Sequence, residues 1–334
     1  MSNRQELLSA AAHTLSRAGD IALCGHVMPD GDCLGSMLAL GLALRRMGKN
    51  VYLFSPDPVP NQYATLLPGA AGVAVEVPGE YAPEVFVSVD CSVPARLGRF
   101  KALMDSSKKI IIVDHHAGGF NFGHIYLNEP SAAAAGELVY ELIDLLPVEM
   151  DADMAFCLYV AINTDTGSFR YDGVGSHTHR ITARLLEKGI PAGYANKKIY
   201  EEKPRVCLQV LGEVLKTLDL SRCGRIAWMH LDRKTLHGLN ARDEHADGVT
   251  NYPRMIEGVE LALFFRQLED GSYKVSFRSK YFLDVNKLAS RFKGGGHLRA
   301  AGCVMNGELA EIKRQVVDAA LIALEEEGTD ERHY

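Results

Sequence analysis

Eight side chains with metal-binding chemistry fall into four short groups along this chain: His26, Asp30 and Asp32; Asp90; Asp114, His115 and His116; and Asp165. In the first group, GHVMPDGDCLGS (25–36), the spacing is His-x-x-x-Asp-x-Asp. An acidic turn explains such a stretch equally well when it is taken alone, because Asp and Gly are ordinary turn residues. Four such places in one half of a chain are harder to obtain that way. Five carboxylates and three imidazoles brought into one pocket would repel one another unless cations filled it. Mixed carboxylate and imidazole donors suit Mn²⁺, Zn²⁺, Co²⁺ or Fe²⁺ better than Ca²⁺. Two such ions about 3.5–4 Å apart form a clamp for phosphoryl transfer to water.

The elements that must position these groups are legible as strands ending on acids. Residues 20–24 are a short apolar run entered from a turn, and residues 51–54 form a second. Residues 85–90 and 109–114 are nearly continuous β-branched runs, each ending on an Asp. Such runs mark strands buried on both faces, hence a parallel sheet covered by helices. Ligands bind at the carboxyl edge of open α/β sheets, which is where all four groups lie or come close. Helices are expected over 4–18, over 34–47 closed by Gly48, and over 132–146 with Ser131 as N-cap. Others are expected from Asp151 to about residue 162, and over 177–188 with Ser176 as N-cap. Residues 55–83 read as irregular.

A helical linker is expected over 196–222, separating a domain at 1–195 from one at 223–334. The second part has a different texture. Residues 225–231 read as a strand, and residues 259–268 and 272–279 as two strands around Asp270-Gly271, a strong hairpin signal. A helix capped by Asp284 follows, then Lys293, Gly294, Gly295, Gly296 and His297, then a helix over 307–326. The fold class expected is α/β: an N-terminal parallel-sheet domain with a smaller C-terminal α+β domain of mixed sheet.

Bulk properties narrow the partners. The 334 residues are 47% hydrophobic and 23% charged, as in ordinary globular proteins, with net charge −6. Proteins that track long nucleic acid usually present a basic face, so a small ligand or a very short strand is expected, with no long nucleic-acid groove. No apolar run spans a bilayer, and the N-terminus lacks the apolar core of a signal peptide. Seven scattered Cys without a Cys-x-x-Cys pair argue against a disulfide framework or structural zinc. A cytoplasmic protein away from membranes is the expectation. Cys33 and Cys91 flank acids and read as packing residues. Arg96 and Arg99 lie where they would reach a phosphate, or are simply solvated.

GHVMPDGDCLGS, VSVDCS, VDHH and NTDTGSF, in this order, resemble the four motifs of the DHH phosphoesterase superfamily. Downstream, SFRS and GGGHLRAAG resemble the DHHA1 domain. The likeness covers nearly the whole chain, which resembles the stand-alone nanoRNase type, bifunctional oligoribonucleases and pAp phosphatases. It implies two divalent cations, commonly Mn²⁺, with Mg²⁺ or Co²⁺ as alternatives. His26, Asp30 and Asp90 would hold one, and Asp32, His115, Asp165 and Asp90 the other. Asp114 would orient His115 through its second ring nitrogen, and His116 would face the substrate phosphate. His116, Asp114 and Asp90 are thus the implied catalytic group, with water rather than a protein side chain as nucleophile.

In the second domain, Arg278, Ser279, Asn286, Gly294, Gly295, Gly296 and His297 would bind substrate, closing a cleft that admits only short molecules. Lys293 stands where many relatives carry a fourth Gly. The implied reaction is hydrolysis of di- to pentaribonucleotides to 5′-mononucleotides, with removal of the 3′-phosphate of pAp. Cyclic di-AMP or linear pApA are alternative substrates. A non-catalytic nucleotide sensor is the alternative of another class, and the complete ligand set argues against it. Apolar helices on the first domain would allow a homodimer.

Overall fold

In the computed structural model, residues 3–79 and 81–328 are described, and the chain divides into two compact units, 1–202 and 203–334. The first unit is built on a six-stranded, wholly parallel sheet: β1 (Asp20–Cys24), β2 (Asn50–Phe54), β3 (Val73–Ala74), β4 (Val85–Val89), β5 (Lys109–Asp114) and β6 (Ile125–Asn128). Its order is β3-β2-β1-β4-β5-β6. The chain therefore winds outward from β1 in one direction, then returns to its other side at β4. Where the winding reverses, successive connections leave on opposite faces and open a crevice at the carboxyl edge. That point lies between β1 and β4.

The central strands β1, β4 and β5 are buried on both faces, as their continuous apolar runs require. Ile21, Leu23, Ile111 and Val113 enter a core shared with helices α1 (Asn3–Arg17), α2 (Gly31–Arg46), α3 (Ala135–Asp144) and α4 (Ala152–Asp165). The alternate residues Ala22, Cys24, Ile110 and Ile112 enter a second core with Phe54, Phe86 and Phe100. Helices α2 and α4 touch backbone to backbone. A Cβ on Gly35 would lie 2.4 Å from the carbonyl oxygen of Cys157, and one on Gly31 would meet Thr164. Only glycine at these positions lets the two helices approach so closely.

Two of the expected helix starts differ in the structure. Asp151 caps α4 through Met154 N–H, as its chemistry predicts. Ser131, by contrast, is not the cap of α3, which begins at Ala135 with Ala134 before it and no side-chain cap of its own. The helix at Ser176–Leu186 is preceded by Gly175, so Ser176 is its first residue rather than its cap. Strands β3 and β6 fall in stretches read as irregular or unassigned.

In the second unit a mixed sheet has the order β11-β12-β10-β9-β8-β7. Its strands are β7 (Asp219–Leu220), β8 (Ile226–Leu231), β9 (Leu261–Gln267), β10 (Tyr273–Ser279), β11 (Gly295–His297) and β12 (Ala300–Met305). β8 and β9 are parallel; the other pairs are antiparallel. The β9–β10 hairpin turns at Asp270-Gly271 as expected, with Gly271 at φ 83° and Asp270 accepting from Ser272 N–H. The stretch 196–222 is not uniform. Its helix Arg205–Leu215 buries Val210 and Val214 against Met229, Leu231 and Phe264 of the second sheet. No helix among the described residues is long and apolar enough to cross a membrane.

Candidate metal centre

His26, Asp30 and Asp32 leave β1, Asp90 leaves β4, and Asp114, His115 and His116 end and follow β5. These are the two strands flanking the reversal of winding and their neighbour. Asp165 is the last residue of α4. All eight side chains are thus delivered to one edge, where His26, Asp32, Asp90 and Asp114 are buried. His26 Nε2 lies 3.4 Å from Asp90 Oδ2 and 3.9 Å from Asp30 Oδ1. His115 Nε2 lies 3.3 Å from Asp165 Oδ2, 3.6 Å from Asp90 Oδ1 and 3.7 Å from Asp32 Oδ2. Ligand atoms of Asp32, His115 and Asp165 fall within 4.8 Å of one another, as do those of Asp90, His115 and His116.

Asp90 is the common member. Its backbone is left-handed, φ 56°, a conformation that costs an L-residue about 1–2 kcal/mol and that Asp tolerates better than most. Its N–H donates to Val113 O at 2.8 Å, fixing the turn that points the carboxylate along the sheet edge. The side chain is 2% exposed, and its Oδ1 has no hydrogen-bond partner. A buried acceptor left so is costly, and a cation bound by Asp90 would satisfy it.

The tautomers are prepared for the same purpose. His115 Nδ1 lies 3.1 Å from Ala132 O. Donation there leaves the Nε2 lone pair toward Asp32, Asp90 and Asp165. His26 Nδ1 lies 2.7 Å from Val27 O; donation to that carbonyl, rather than acceptance from Arg96, is the tautomer that turns the Nε2 lone pair toward the carboxylates. The Arg96 guanidinium, 2.9 Å from the same Nδ1, packs behind that ring. Arg96 is therefore part of the site wall, while Arg99 is exposed.

Asp32 is held most firmly. Its Oδ1 accepts from Ser36 Oγ (2.9 Å) and Gly136 N–H (2.9 Å), and its Oδ2 accepts from Ala135 N–H (2.6 Å). The missing cap of α3 is thus supplied by a carboxylate from α2, one hundred residues earlier in the chain. The run Ala132–Gly136 carries only small side chains, so its backbone can come this close.

Asp114 does not orient the His115 ring, contrary to what the family likeness implies. Its Oδ1 accepts from the backbone N–H of His115 (2.8 Å) and His116 (3.2 Å) and from His116 Nδ1 (2.6 Å). It positions the His115 backbone and the His116 ring; the Ala132 carbonyl orients His115.

The electrostatics describe a site built for positive charge. Burial first, then the charges of Asp32 and Asp30, push the Asp90 carboxyl well above the usual range. Burial likewise raises Asp32 and Asp165, and it lowers the His26 imidazole. At His115 burial is outweighed by the charges of Asp32 and Asp165, which raise it. At Asp114 burial is outweighed by the hydrogen bond and charge of His116, which hold it at about 2. Cations are the compensation this donor set lacks, and oxygen and imidazole donors fit Mn²⁺, Zn²⁺ or Co²⁺.

The DHH family's N-terminal domain matches residues 20–162, and the DHHA1 domain matches residues 231–326. The bifunctional oligoribonuclease and PAP phosphatase NrnA of Thermus thermophilus is 30% identical over 90% of this chain and 89% of its own. The chain belongs to the DHH family. A second relative, the NrnA of Bacillus subtilis, is 27% identical over 86% of this chain and 90% of its own. Among solved structures, an exopolyphosphatase-related protein from Bacteroides fragilis superposes with TM-score 0.88 at 26% identity, covering 96% of each chain.

The DHHA1 unit presents its own expected residues. Along β10, Tyr273, Val275, Phe277 and Ser279 are buried, while Lys274, Ser276 and Arg278 alternate to the half-buried face. Ser279 is thus fully buried on the face opposite Arg278, away from any ligand beside Arg278. Arg278 pairs in register with Ala300, which pairs on its other side with His297. The His297 side chain lies outside the described residues. The glycine run packs too tightly for side chains: a Cβ on Gly294 would sit 2.3 Å from Gly302 O, and one on Gly296 2.4 Å from Ala300 O. Asn286 Oδ1 accepts from Gly296 N–H at 2.9 Å, so Asn286 shapes this loop. Lys293 adopts φ 59°, the left-handed conformation a glycine would take without strain.

Proposed function

We propose that this chain is a metal-dependent phosphoesterase that hydrolyses short oligoribonucleotides to 5′-mononucleotides and converts pAp to AMP. The observation that carries the chemistry is the meeting of His26, Asp32, Asp90, His115 and Asp165 at the winding reversal, with a buried Asp90 oxygen left unsatisfied. The names of the Thermus and Bacillus relatives support the choice of substrates. His26, Asp30 and Asp90 are assigned to one cation, and Asp32, Asp90, His115 and Asp165 to the other, with Mn²⁺ the preferred ion. When bound, such cations lower the pKa of water toward neutrality and withdraw charge from phosphoryl oxygens.

The chain's own residues do the rest. Asp114 fixes a proton on His116 Nδ1, so that the ring meets the scissile phosphate as a donor when it is charged. Arg278 and the Gly294–Gly296 backbone hold a second phosphate or the far nucleotide; a planar guanidinium suits that task. Seven free thiols favour a reducing, cytoplasmic setting. The test is a side-by-side rate comparison of pAp, pApA, cyclic di-AMP and a pentaribonucleotide with Mn²⁺. Turnover of pAp and the short linear RNAs above cyclic di-AMP is expected; cyclic di-AMP as the preferred substrate would displace this reading. Arg278→Ala is expected to raise KM at least about tenfold with unchanged metal content, and loss of metal would remove Arg278 from this role.

A further inference from the structure

Cys33, read from the sequence as a packing residue, is fully buried but lies beside the acids and imidazoles rather than within a hydrophobic cluster. Cys24, Cys91, Cys157 and Cys303 belong to the hydrophobic cores, and Cys33 belongs to none of them. It sits in the first turn of α2, fully buried, with a free thiol. Its Sγ, a ring nitrogen of His26 and a carboxylate oxygen of Asp90 all lie within 4.8 Å of one another. None of the three residues is more than 2% exposed. Asp30 Oδ1 accepts from Cys33 N–H at 3.1 Å, which sets this turn. Gly25 makes the room: a Cβ there would fall 2.2 Å from the Cys33 sulfur. The cluster of Asp32, His115 and Asp165 offers only nitrogen and oxygen.

We propose that the subsite at His26 and Asp90 takes a thiophilic divalent cation, with the Cys33 sulfur as its third buried donor. This rests on reading the site as a metal centre. The two subsites then differ in kind. Soft thiolate raises the affinity of this subsite for Zn²⁺, Co²⁺ or Cd²⁺ above its affinity for Mn²⁺, so the preference for Mn²⁺ assigned above belongs to the all-nitrogen-and-oxygen subsite, and Mn²⁺ fills this one more weakly. As the sulfur–metal bond forms, the thiol proton passes to solvent; no oxidation state changes. Asp30, more than half exposed, lies at the solvent side of this subsite.

The experiment is a Co²⁺ titration of the chelator-stripped full chain, followed by near-ultraviolet absorption and by metal content. The wild type is expected to develop an intense sulfur-to-cobalt charge-transfer band. Cys33→Ala is expected to lose the band while still binding cobalt at Asp32, His115 and Asp165. Its affinity for Cd²⁺ should fall at least about tenfold relative to Mn²⁺. Cys33→Ser, nearly the same size, covers the case in which the Ala variant fails to fold and should also lack the band. Cobalt bound to the wild type without a band, or a band of equal strength in both variants, overturns the proposal. A band in a protein that hydrolyses no nucleotide leaves this inference standing and removes the proposed function; turnover without the band does the reverse.

Discussion

Replacing Asp90 by Asn separates the two opposite effects the site places on that residue. Asn keeps the size and tolerates the left-handed backbone at φ 56°. It removes a charge buried beside Asp32, Asp30, Asp114 and Asp165. In metal-free protein the raised Asp90 carboxyl binds a proton more tightly folded than unfolded. Stability therefore falls as pH rises through the window between the ordinary carboxylate pKa, about 4, and the raised folded value. The metal-free variant should melt above metal-free wild type at pH 7.5, and the gap should close as pH approaches 4. With metal at about 100 times its Kd, wild type gains about 2.7 kcal/mol. For a unit of the size of residues 1–202 that is a rise in Tm of about 5–11 °C. The variant, lacking the shared ligand, should gain no more than about 2 °C and should lose turnover. The assay is thermal unfolding in EDTA and in saturating Mn²⁺. A full metal increment in the variant would refute the assignment of Asp90 as the shared ligand.

Other outcomes follow from particular contacts. Gly35→Ala would drive a Cβ to 2.4 Å from the Cys157 carbonyl and part the helices carrying Asp32 and Asp165. A stability loss of about 1–3 kcal/mol together with weaker metal binding is expected in calorimetric titration; unchanged affinity would show that this packing does not set the site. Lys293→Gly relieves the left-handed strain and should stabilise the second unit in urea unfolding by up to about 1 kcal/mol, whereas a loss would contradict that account. Asp114→Asn removes a carboxylate held at about 2. The loss, about 2 kcal/mol, should be full above the ordinary carboxylate pKa and shrink as pH falls from there toward 2. A loss that grows with acid would reverse the sign.

The carboxyl-edge acids were legible because β1, β4 and β5 are runs of apolar residues with few alternatives to a buried parallel strand. The hairpin at Asp270-Gly271 and the caps at Asp151 and Asp284 were legible because their chemistry is local. What escaped depends on partners distant in sequence. Strand β6 is four residues whose pairing comes from β5, and β12 is AAGCVM, held between β10 and β11. Ser131 has the right chemistry for a cap, yet Asp32 supplies the acceptor from 103 and 104 residues away in the chain. The same holds for Asp114, whose motif position suggested a role on His115 that the Ala132 carbonyl performs. Arg96 was legible only as one of two basic residues after the Asp90 motif; the fold is what brings it, and not Arg99, against His26.

The most direct test of the metal-dependent phosphoesterase reading is a Mn²⁺ titration of chelator-stripped protein, with pAp and a diribonucleotide assayed at each step. We expect no turnover without metal and release of 5′-mononucleotide from both substrates as the second equivalent per chain binds. Turnover in the stripped protein, or none with both equivalents bound, would contradict it.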